Sequence, residues 1–307
     1  MKTLWFWIFV LWSNSLFAQL QEFEDLAALY DLNQKEIEQT AGFSCLTHIN
    51  YVESGDRVKP YTSVKEQYLR LVEKGKKRRV DSISGEWQST LRSDVRYDPP
   101  GLRRNDLQTG DKDLTLLDRG VVDRSLNFHQ YGFWQSVFHL PQLWAPAIPN
   151  LERWPKEKDA VDCVQRKVNG KTQWHARLGP RYWAKVVEFD DNVKFLPVRI
   201  DYFETTDVSQ LGKESFNGVD STWKKKSEAK IQWQEIGSGL YGPKSLSIHT
   251  TNTDDHKMSI YFTDWKIGEA VDSSLLDEAE FRKLDKKKFP YGDLIKAFPD
   301  HPPTVLK

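Results

Sequence analysis

Histidines and carboxylates are the side chains of this 307-residue chain that could carry acid–base or metal chemistry. Among its seven histidines, His249 and His256 lie closest together in sequence, beside Asp254 and Asp255. Imidazole and carboxylate ligands suit a divalent ion. Asn and Asp also favour turns for backbone reasons, so we interpret this stretch as a polar hairpin loop and predict no metal and no cofactor.

Catalytic motifs with a defined spacing are missing from the sequence. It has no GxSxG, HExxH, P-loop or EF-hand pattern. The acidic pairs Asp190-Asp191 and Asp254-Asp255 are adjacent residues, which face opposite sides of a strand, unlike the facing carboxylates of a glycosidase. We therefore predict that the chain is not an enzyme. A secreted hydrolase, with a site assembled from distant residues, is an alternative.

The first 18 residues have the order of a secretory signal peptide. A positive Met1-Lys2 precedes the apolar run Leu4–Trp12, and small or polar residues lead to Ala18, where we expect cleavage. The apolar run is too short to span a bilayer as a mature helix, and no later stretch is long and apolar enough. We therefore expect an exported protein of the periplasm or cell envelope, or of the extracellular space.

Charge and cysteine content restrict the partners and the cross-links. Lys plus Arg and Asp plus Glu both number 44, so the overall field does not favour nucleic acid. We expect a monomer. The two cysteines, Cys45 and Cys163, could form one disulfide in an exported protein, worth ~4–5 kcal/mol on the chain-entropy model. Two separate buried thiols are the alternative.

Alternation of apolar and polar residues predicts antiparallel strands along most of the chain after an amphipathic helix at Gln21–Gln39. Asn169-Gly170, between two alternating runs, is a strong hairpin signal. The strand predictions are Phe43–Tyr51, Tyr68–Val72, Arg78–Ile83, Glu86–Tyr97, Leu114–Leu117, Val121–Val122, Val161–Val168, Thr172–Leu178, Tyr182–Phe189 and Val193–Phe203. Three further strands and a short amphipathic segment fill Lys230–Phe281.

Two segments depart from this pattern. Residues 126–155 combine a predicted helix at Asn127–His139 with a Pro-rich, Trp-bearing loop, which we interpret as an insertion or lid over the sheet. Residues 282–307 form a charged, Pro-rich C-terminal tail, in which a few apolar residues such as Tyr291 and Phe298 could dock.

Three short segments carry a resemblance to a known superfamily. They are Phe195–Arg199 (FLPVR), Gly239–Pro243 (GLYGP) and Trp265–Gly268 (WKIG), and they occur within an ordered series of signal peptide, helix and hairpins. In this order the chain resembles the LolA/LolB-like outer-membrane lipoprotein carrier superfamily, over about Gln21–Phe281. The resemblance implies a strongly curved antiparallel sheet that forms an incomplete barrel, with covering helices and, in some members, bound acyl chains. This chain is longer than the carrier, and no one residue matches the carrier's functional arginine.

The sequence thus predicts an α+β, mainly β fold with one half-barrel domain over residues 19–281. We expect a non-catalytic binding protein that holds a lipid, a lipidated protein or another apolar ligand. A cell-envelope structural or interaction module with a packed barrel is the other alternative. The predicted cavity lining is Trp87, Leu91, Val95, Trp134, Phe138, Trp174, Ile231, Trp233, Ile260 and Phe262.

Overall fold

A single antiparallel sheet dominates the computed structural model, which describes residues 42–55, 61–90, 93–95, 101–109, 112–124, 163–178, 183–194, 196–205, 218–237, 239–251 and 254–306. The sheet is strongly curved and not closed, as the predicted fold class requires. Its strands are β1 (Phe43–Gly55), β2 (Tyr61–Lys74), β3 (Lys77–Thr90), β4 (Ser93–Val95), β5 (Leu102–Thr109), β6 (Lys112–Leu117), β7 (Gly120–Arg124), β8 (Cys163–Val168), β9 (Lys171–Leu178), β10 (Trp183–Asp190), β11 (Leu196–Thr205), β12 (Trp223–Gly237), β13 (Leu240–Thr251) and β14 (Asp254–Ile267).

Along the chain, the strands run from β1 at the centre of the sheet to β7 at one edge, and then from β8 at the other edge back to β14 at the centre. The order is β7-β6-β5-β3-β2-β1-β14-β13-β12-β11-β10-β9-β8, and β4 pairs with β3 beside this path. Consecutive strands are mostly neighbours because short turns join them. At Asn169-Gly170 both residues have positive φ (52° and 81°), the backbone of a type I′ hairpin turn. The first and last strands, β1 and β14, meet at the centre of the sheet.

One face of the sheet, called here the inner face, carries the largest apolar core. Alternate residues of β1 (Phe43, Cys45 and Ile49) point to it, because successive strand residues face opposite sides. Buried residues of β2, β3 and β9 to β14 join the same cluster, including Leu71, Val80, Trp174, Val187, Ile200, Ala229, Ile231, Leu246, Ile260 and Phe262. Each fully buried aliphatic or aromatic side chain contributes about 1.5–3 kcal/mol relative to exposure.

The opposite face of β1 to β3, β5 and β6, called here the outer face, is covered by residues 268–306. These residues form 3₁₀ turns at Gly268–Ala270 and Ser273–Leu276 and two short helices, α1 (Glu278–Arg282) and α2 (Tyr291–Lys296). Segment 282–306 is charged, as its sequence indicates. It nevertheless packs on the sheet and buries Tyr291, Leu294, Phe298 and Val305.

A buried ion-pair network fixes this covering layer to the sheet. Asp81 accepts hydrogen bonds from Arg79 Nε (3.0 and 3.1 Å), Arg70 Nε (3.0 Å) and Asn105 Nδ2 (2.6 Å). Arg79 also donates to the Leu275 carbonyl oxygen at 3.0 Å. Asp81 and Arg79 are both buried, so each charge is matched by direct partners. The sheet contributes the charges, and the covering layer contributes the Leu275 acceptor.

One strand prediction is wrong in its path. Glu86–Tyr97 is not one straight strand, because β3 ends at Thr90 and β4 pairs back on it, with Ser93 opposite Thr90 and Val95 opposite Gln88. Two residues separate Thr90 from Ser93. A reversal over so short a connection leaves polar–apolar alternation on both arms, so alternation alone does not distinguish it from an extended strand. Trp87 and Val95 therefore belong to different strands.

Other predictions fall on parts of the chain outside the described residues. These are the signal peptide (residues 1–18), the helix at Gln21–Gln39, and residues 126–155 with the helix at Asn127–His139. Leu91, Trp134 and Phe138 also lie there, and the side chains of Val95 and Cys163 are not described. The helices described, α1 and α2, cover the outer face, and none in the described ranges is long and apolar enough to cross a membrane.

The Cys45 thiol is free and buried on the inner face of β1. Its strand and β8, which holds Cys163, are separated by the seven-step series β1-β14-β13-β12-β11-β10-β9-β8. Burial raises the pKa of Cys45 to about 12, against the lowering effect of its contact with Thr47 Oγ1 at 3.8 Å. The thiolate is the reactive form, so this cysteine is expected to be inert in the folded protein.

Thiol labelling tests this placement in a Cys163→Ser variant, in which Cys45 is the reporter. We expect no labelling by a disulfide reagent at pH 8 in buffer and complete labelling in denaturant. The wild-type protein, run without reductant, should also yield a free thiol at Cys45. Fast labelling of the folded variant, or a Cys45–Cys163 peptide in a non-reduced digest, would contradict the structure.

Candidate functional site

A pocket of about 730 Å³ opens on the inner face, at the end of the sheet where β1 ends and β2 begins. Strands β14, β1, β2, β3 and β5 supply its walls. It is lined by Ile49, Tyr51, Glu53, Lys65, Glu66, Gln67, Ser84, Gly85, Glu86, Leu102 and Met258. A pocket of this volume falls in the range of small-molecule sites, about 300–1,000 Å³.

The strand register arranges this lining in rows that run across the sheet. In one row, Met258 pairs with Tyr51, Tyr51 with Lys65, and Lys65 with Glu86. The neighbouring row contains Ile49, Gln67, Ser84 and Leu102, on β1, β2, β3 and β5 respectively. On the β14 and β1 side, Ile49, Tyr51 and Met258 form an apolar surface that is continuous with the inner core, and Glu53 follows them on β1. The β2 and β3 side is polar.

Charged and hydrogen-bonding groups surround the apolar part. Lys65 and Glu86 form an ion pair at 3.5 Å, and both are about half exposed. Tyr51 donates to Glu53 at 3.4 Å, and its hydroxyl lies 2.7 Å from Nδ1 of His256. Burial, followed by the charge and hydrogen bond of Glu53, raises the pKa of Tyr51, so this hydroxyl stays protonated at neutral pH.

The pocket floor is formed by the backbone of a cross-strand pair, Glu66 on β2 and Gly85 on β3. Lys65 and Gln67 point into the pocket, so the Glu66 side chain between them points to the outer face. There its carboxylate accepts hydrogen bonds from the backbone N–H groups of Thr304 (3.2 Å), Val305 (3.0 Å) and Leu306 (3.3 Å).

Two side chains complete the shell of this carboxylate. Tyr68 donates to Glu66 at 3.2 Å, and Nε2 of His48 lies 3.2 Å from the same oxygen. Burial alone would raise the pKa of Glu66. The hydrogen bonds from His48 and from the backbone of Val305, Thr304 and Leu306 outweigh it and lower the pKa to about 2.

Those residues of the predicted cavity lining that the structure describes fall into two groups. Trp174, Ile231, Ile260 and Phe262 are brought together, but as members of the packed inner core, and Trp233 packs against them. Trp87 is half-buried and follows Glu86 on β3, so it belongs to the outer-face series and not to the pocket described here. Trp233 also donates from Nε1 to the Pro197 carbonyl oxygen at 2.8 Å.

None of the residues that line the described pocket is in the cavity lining predicted from the sequence. Ile49 and Tyr51 stood in the predicted alternation of the first strand, which is the signal that could have found them. Lys65 and Glu86 resemble residues of a solvated strand face, and Ser84 gives no apolar signal, so nothing local marks them. Only the register brings β14, β1, β2 and β3 together at this point.

Neither a metal site nor a dinucleotide-binding fingerprint is found in the described ranges. No group of three or more His, Cys, Asp or Glu side chains there is arranged to hold a metal ion. The letters G-x-G-x-x-G do occur at residues 237–242, but they join β12 directly to β13. A dinucleotide fingerprint needs a helix after its glycines, so this stretch is a turn between strands.

Comparison with known proteins gives similarity of fold at low sequence identity. No protein-family model and no curated protein matches the sequence. A domain from Vibrio parahaemolyticus, described as an outer membrane lipoprotein-sorting protein domain, is 8% identical over 84% of this chain and 98% of its own, with a TM-score of 0.37. A LolA superfamily protein from Nitrosomonas europaea is 11% identical over 80% and 98%, with a TM-score of 0.36. LprF from Mycobacterium bovis is 10% identical over 80% and 95%, with a TM-score of 0.27.

Replacing Glu66 with Gln tests the buried carboxylate shell. The amide removes the charge and points an N–H group at backbone donors, so we expect the free energy of unfolding at pH 7 to fall by roughly 2–4 kcal/mol. Urea unfolding measures this change. Glu278→Gln, on the surface of α1, is the matched control and should change it by less than about 0.5 kcal/mol. A loss equal to that of the control would contradict the shell.

Comparison of the wild type with Glu66→Gln should also show how the stability contribution of Glu66 depends on pH. The folded-state pKa of Glu66 is about 2 and the ordinary value is 4.5, so the ionised carboxylate stabilises the fold above pH 4.5. This contribution is lost as the pH falls towards 2. The stability difference between the wild type and Glu66→Gln should therefore be constant between pH 7 and 5 and decrease by roughly 3 kcal/mol below that range. A difference that stays constant down to pH 2.5 would show that Glu66 is not the titrating group.

Proposed function

We propose that this chain is an exported, non-catalytic binding protein that holds the acyl chain of a lipid or another amphiphile in the inner-face pocket. The observation that supports the proposal most directly is the division of the pocket. Its apolar side, Ile49, Tyr51 and Met258, continues into the inner core, and Lys65 and Glu86 stand on the polar side. An acyl chain fits the first side and a polar head group the second.

The expected affinity is moderate. Each methylene group removed from water contributes about 0.8 kcal/mol, so roughly eight buried methylene groups contribute about 6 kcal/mol before the costs of association. Taken alone, that free energy corresponds to a Kd of tens of micromolar, which is the upper limit that burial of such a chain sets on the affinity. The polar groups of the rim already pair with one another, Lys65 with Glu86 and Tyr51 with His256. They therefore orient a head group more than they add affinity.

Export is part of the proposal and is supported by the sequence. The charged, apolar and small-residue regions of residues 1–18 follow one another as in a secretory signal peptide. An exported carrier meets lipids and lipidated proteins in the envelope, where an aqueous crossing requires a shielded acyl chain. A structural or interaction module is the competing function, and the cluster of buried residues in the inner core would suit it.

A bulky side chain placed in the pocket tests this function. The mature protein is titrated with a fluorescent single-chain amphiphile, dansyl-undecanoic acid, and binding is followed by the increase in emission. Ser84→Trp should weaken binding at least tenfold, because the indole fills the space between the polar side and Ile49. Ser247→Trp is the matched control on the exposed side of β13 and should stay within twofold of the wild type.

Two results would overturn the proposal. One is a wild type that does not bind the probe at 200 µM, together with native mass spectrometry of protein from its own envelope showing only protein ions. The other is binding that Ser84→Trp and Ser247→Trp affect equally, since the probe would then bind elsewhere. Recovery of a stable protein partner without lipid would favour the interaction module.

A further inference from the structure

Residues 301–306, called here the C-terminal strap, run behind the floor of the pocket. The floor is only one backbone thick at the Glu66–Gly85 pair, since the same two residues line the pocket and contact the strap on the outer face. Three successive strap N–H groups converge on the Glu66 carboxylate, at 3.0–3.3 Å. The strap is therefore bound through the very residues that shape the floor.

Two glycines make room for the strap. A Cβ on Gly85 would lie 2.8 Å from Cδ2 of Leu306 and 3.1 Å from Cγ1 of Val305. A Cβ on Gly101 would lie 2.8 Å from the same Leu306 carbon. Leu306 is thus seated in a notch between β3 and the start of β5, and Leu102, the next residue of β5, lines the pocket.

The strap also has an anchor that does not involve the floor. The His301 ring stacks on Tyr261 with a centroid distance of 3.6 Å, and the His301 carbonyl oxygen accepts a hydrogen bond from Tyr68 at 3.2 Å. Phe298, just before it, is buried in the outer-face cluster. Removal of the residues after Pro302 therefore deletes the contacts with Glu66 and the glycine notch and leaves this anchor in place.

We propose that Glu66, Gly85 and the strap are positioning elements of the ligand pocket, so that docking of the strap holds the floor in its binding shape. The inference rests on the proposed function, because it concerns the same pocket. Its physical basis is the shared backbone pair. A floor supported on one side only has no partner atoms to resist a shift of β2 against β3, whereas the docked strap supplies them. Strap docking and ligand binding should then favour each other reciprocally.

The first test uses a chain that ends at Pro302 and the dansyl-undecanoic acid titration. We expect at least a tenfold loss of affinity while circular dichroism and the protection of Cys45 show a folded sheet. A peptide with the sequence of residues 303–307, added in trans, should restore part of the affinity, because the docked residues 298–302 leave its site free. The same peptide should fail when Glu66→Gln is introduced into the shortened chain. Unchanged affinity in the folded, shortened chain would overturn the proposal.

A second pair of variants decides the question if the shortened chain does not fold. Gly85→Ala in the full chain places a methyl group against Leu306 on the outer face and leaves the pocket side unaltered. It should weaken binding about three- to tenfold, and Leu306→Ala in the same chain should recover part of that loss by relieving the clash. Gly292→Ala, where a Cβ meets nothing within 4 Å, is the control. Equal affinities for Gly85→Ala and Gly292→Ala would overturn the proposal.

The outcomes separate this inference from the function on which it rests. A wild type that binds no amphiphile defeats the proposed function itself. A wild type that binds, is blocked by Ser84→Trp and is indifferent to loss of the strap defeats only the positioning role. Hydrogen exchange adds a readout that needs no ligand, because loss of the strap should speed exchange of the β2 and β3 amides around Glu66 and Gly85.

Discussion

The Glu66 carboxylate is the group on which the two-sided construction of this fold depends. A buried anion is tolerated only when hydrogen-bond donors surround it. Here the donors are Tyr68, His48 and three backbone N–H groups more than 230 positions later in the chain. The carboxylate can be satisfied only if residues 304–306 return to β2. One charge thereby defines where the C-terminal segment docks, and with Asp81 it joins the outer layer to the sheet.

Because the C-terminal segment docks on the outer face, strands β1 to β3 are buried on both faces. In β1 the seven residues from Phe43 to Ile49 are almost all buried, because the inner core takes one series and the C-terminal layer the other. Polar residues that face the C-terminal layer, such as His48 and Glu66, therefore form hydrogen bonds with defined partners. Strands β12 and β13 differ, since part of their outer face is exposed, and they show the ordinary alternation of buried and exposed positions.

Features that depend on residues close together in the sequence were predicted better than features that join distant parts of the chain. The hairpin at Asn169-Gly170 was predictable because a turn is encoded by a few adjacent residues. The reversal at β4 was not, because alternation is the same on either side of a two-residue connection. The pocket and the Glu66 shell were beyond local patterns, since they join β14 to β3 and residue 66 to residue 305. Tryptophan was a poor guide to the site, because Trp174 and Trp233 serve the packed core.

The position of the pocket follows from side-chain size along the inner face. On β12 to β14, large residues such as Ile231, Leu246, Ile260 and Phe262 are buried and pack against one another in the inner core. At the far end of β1 to β3 the lining includes the small side chain of Ser84 and the backbone of Gly85, which leave space opposite Ile49 and Met258. A void in a protein persists only where its walls do not collapse into it. The wall beneath this void contains a glycine, and the C-terminal strap lies directly behind that glycine. Space on one face of the sheet and packing on the other are therefore parts of one arrangement.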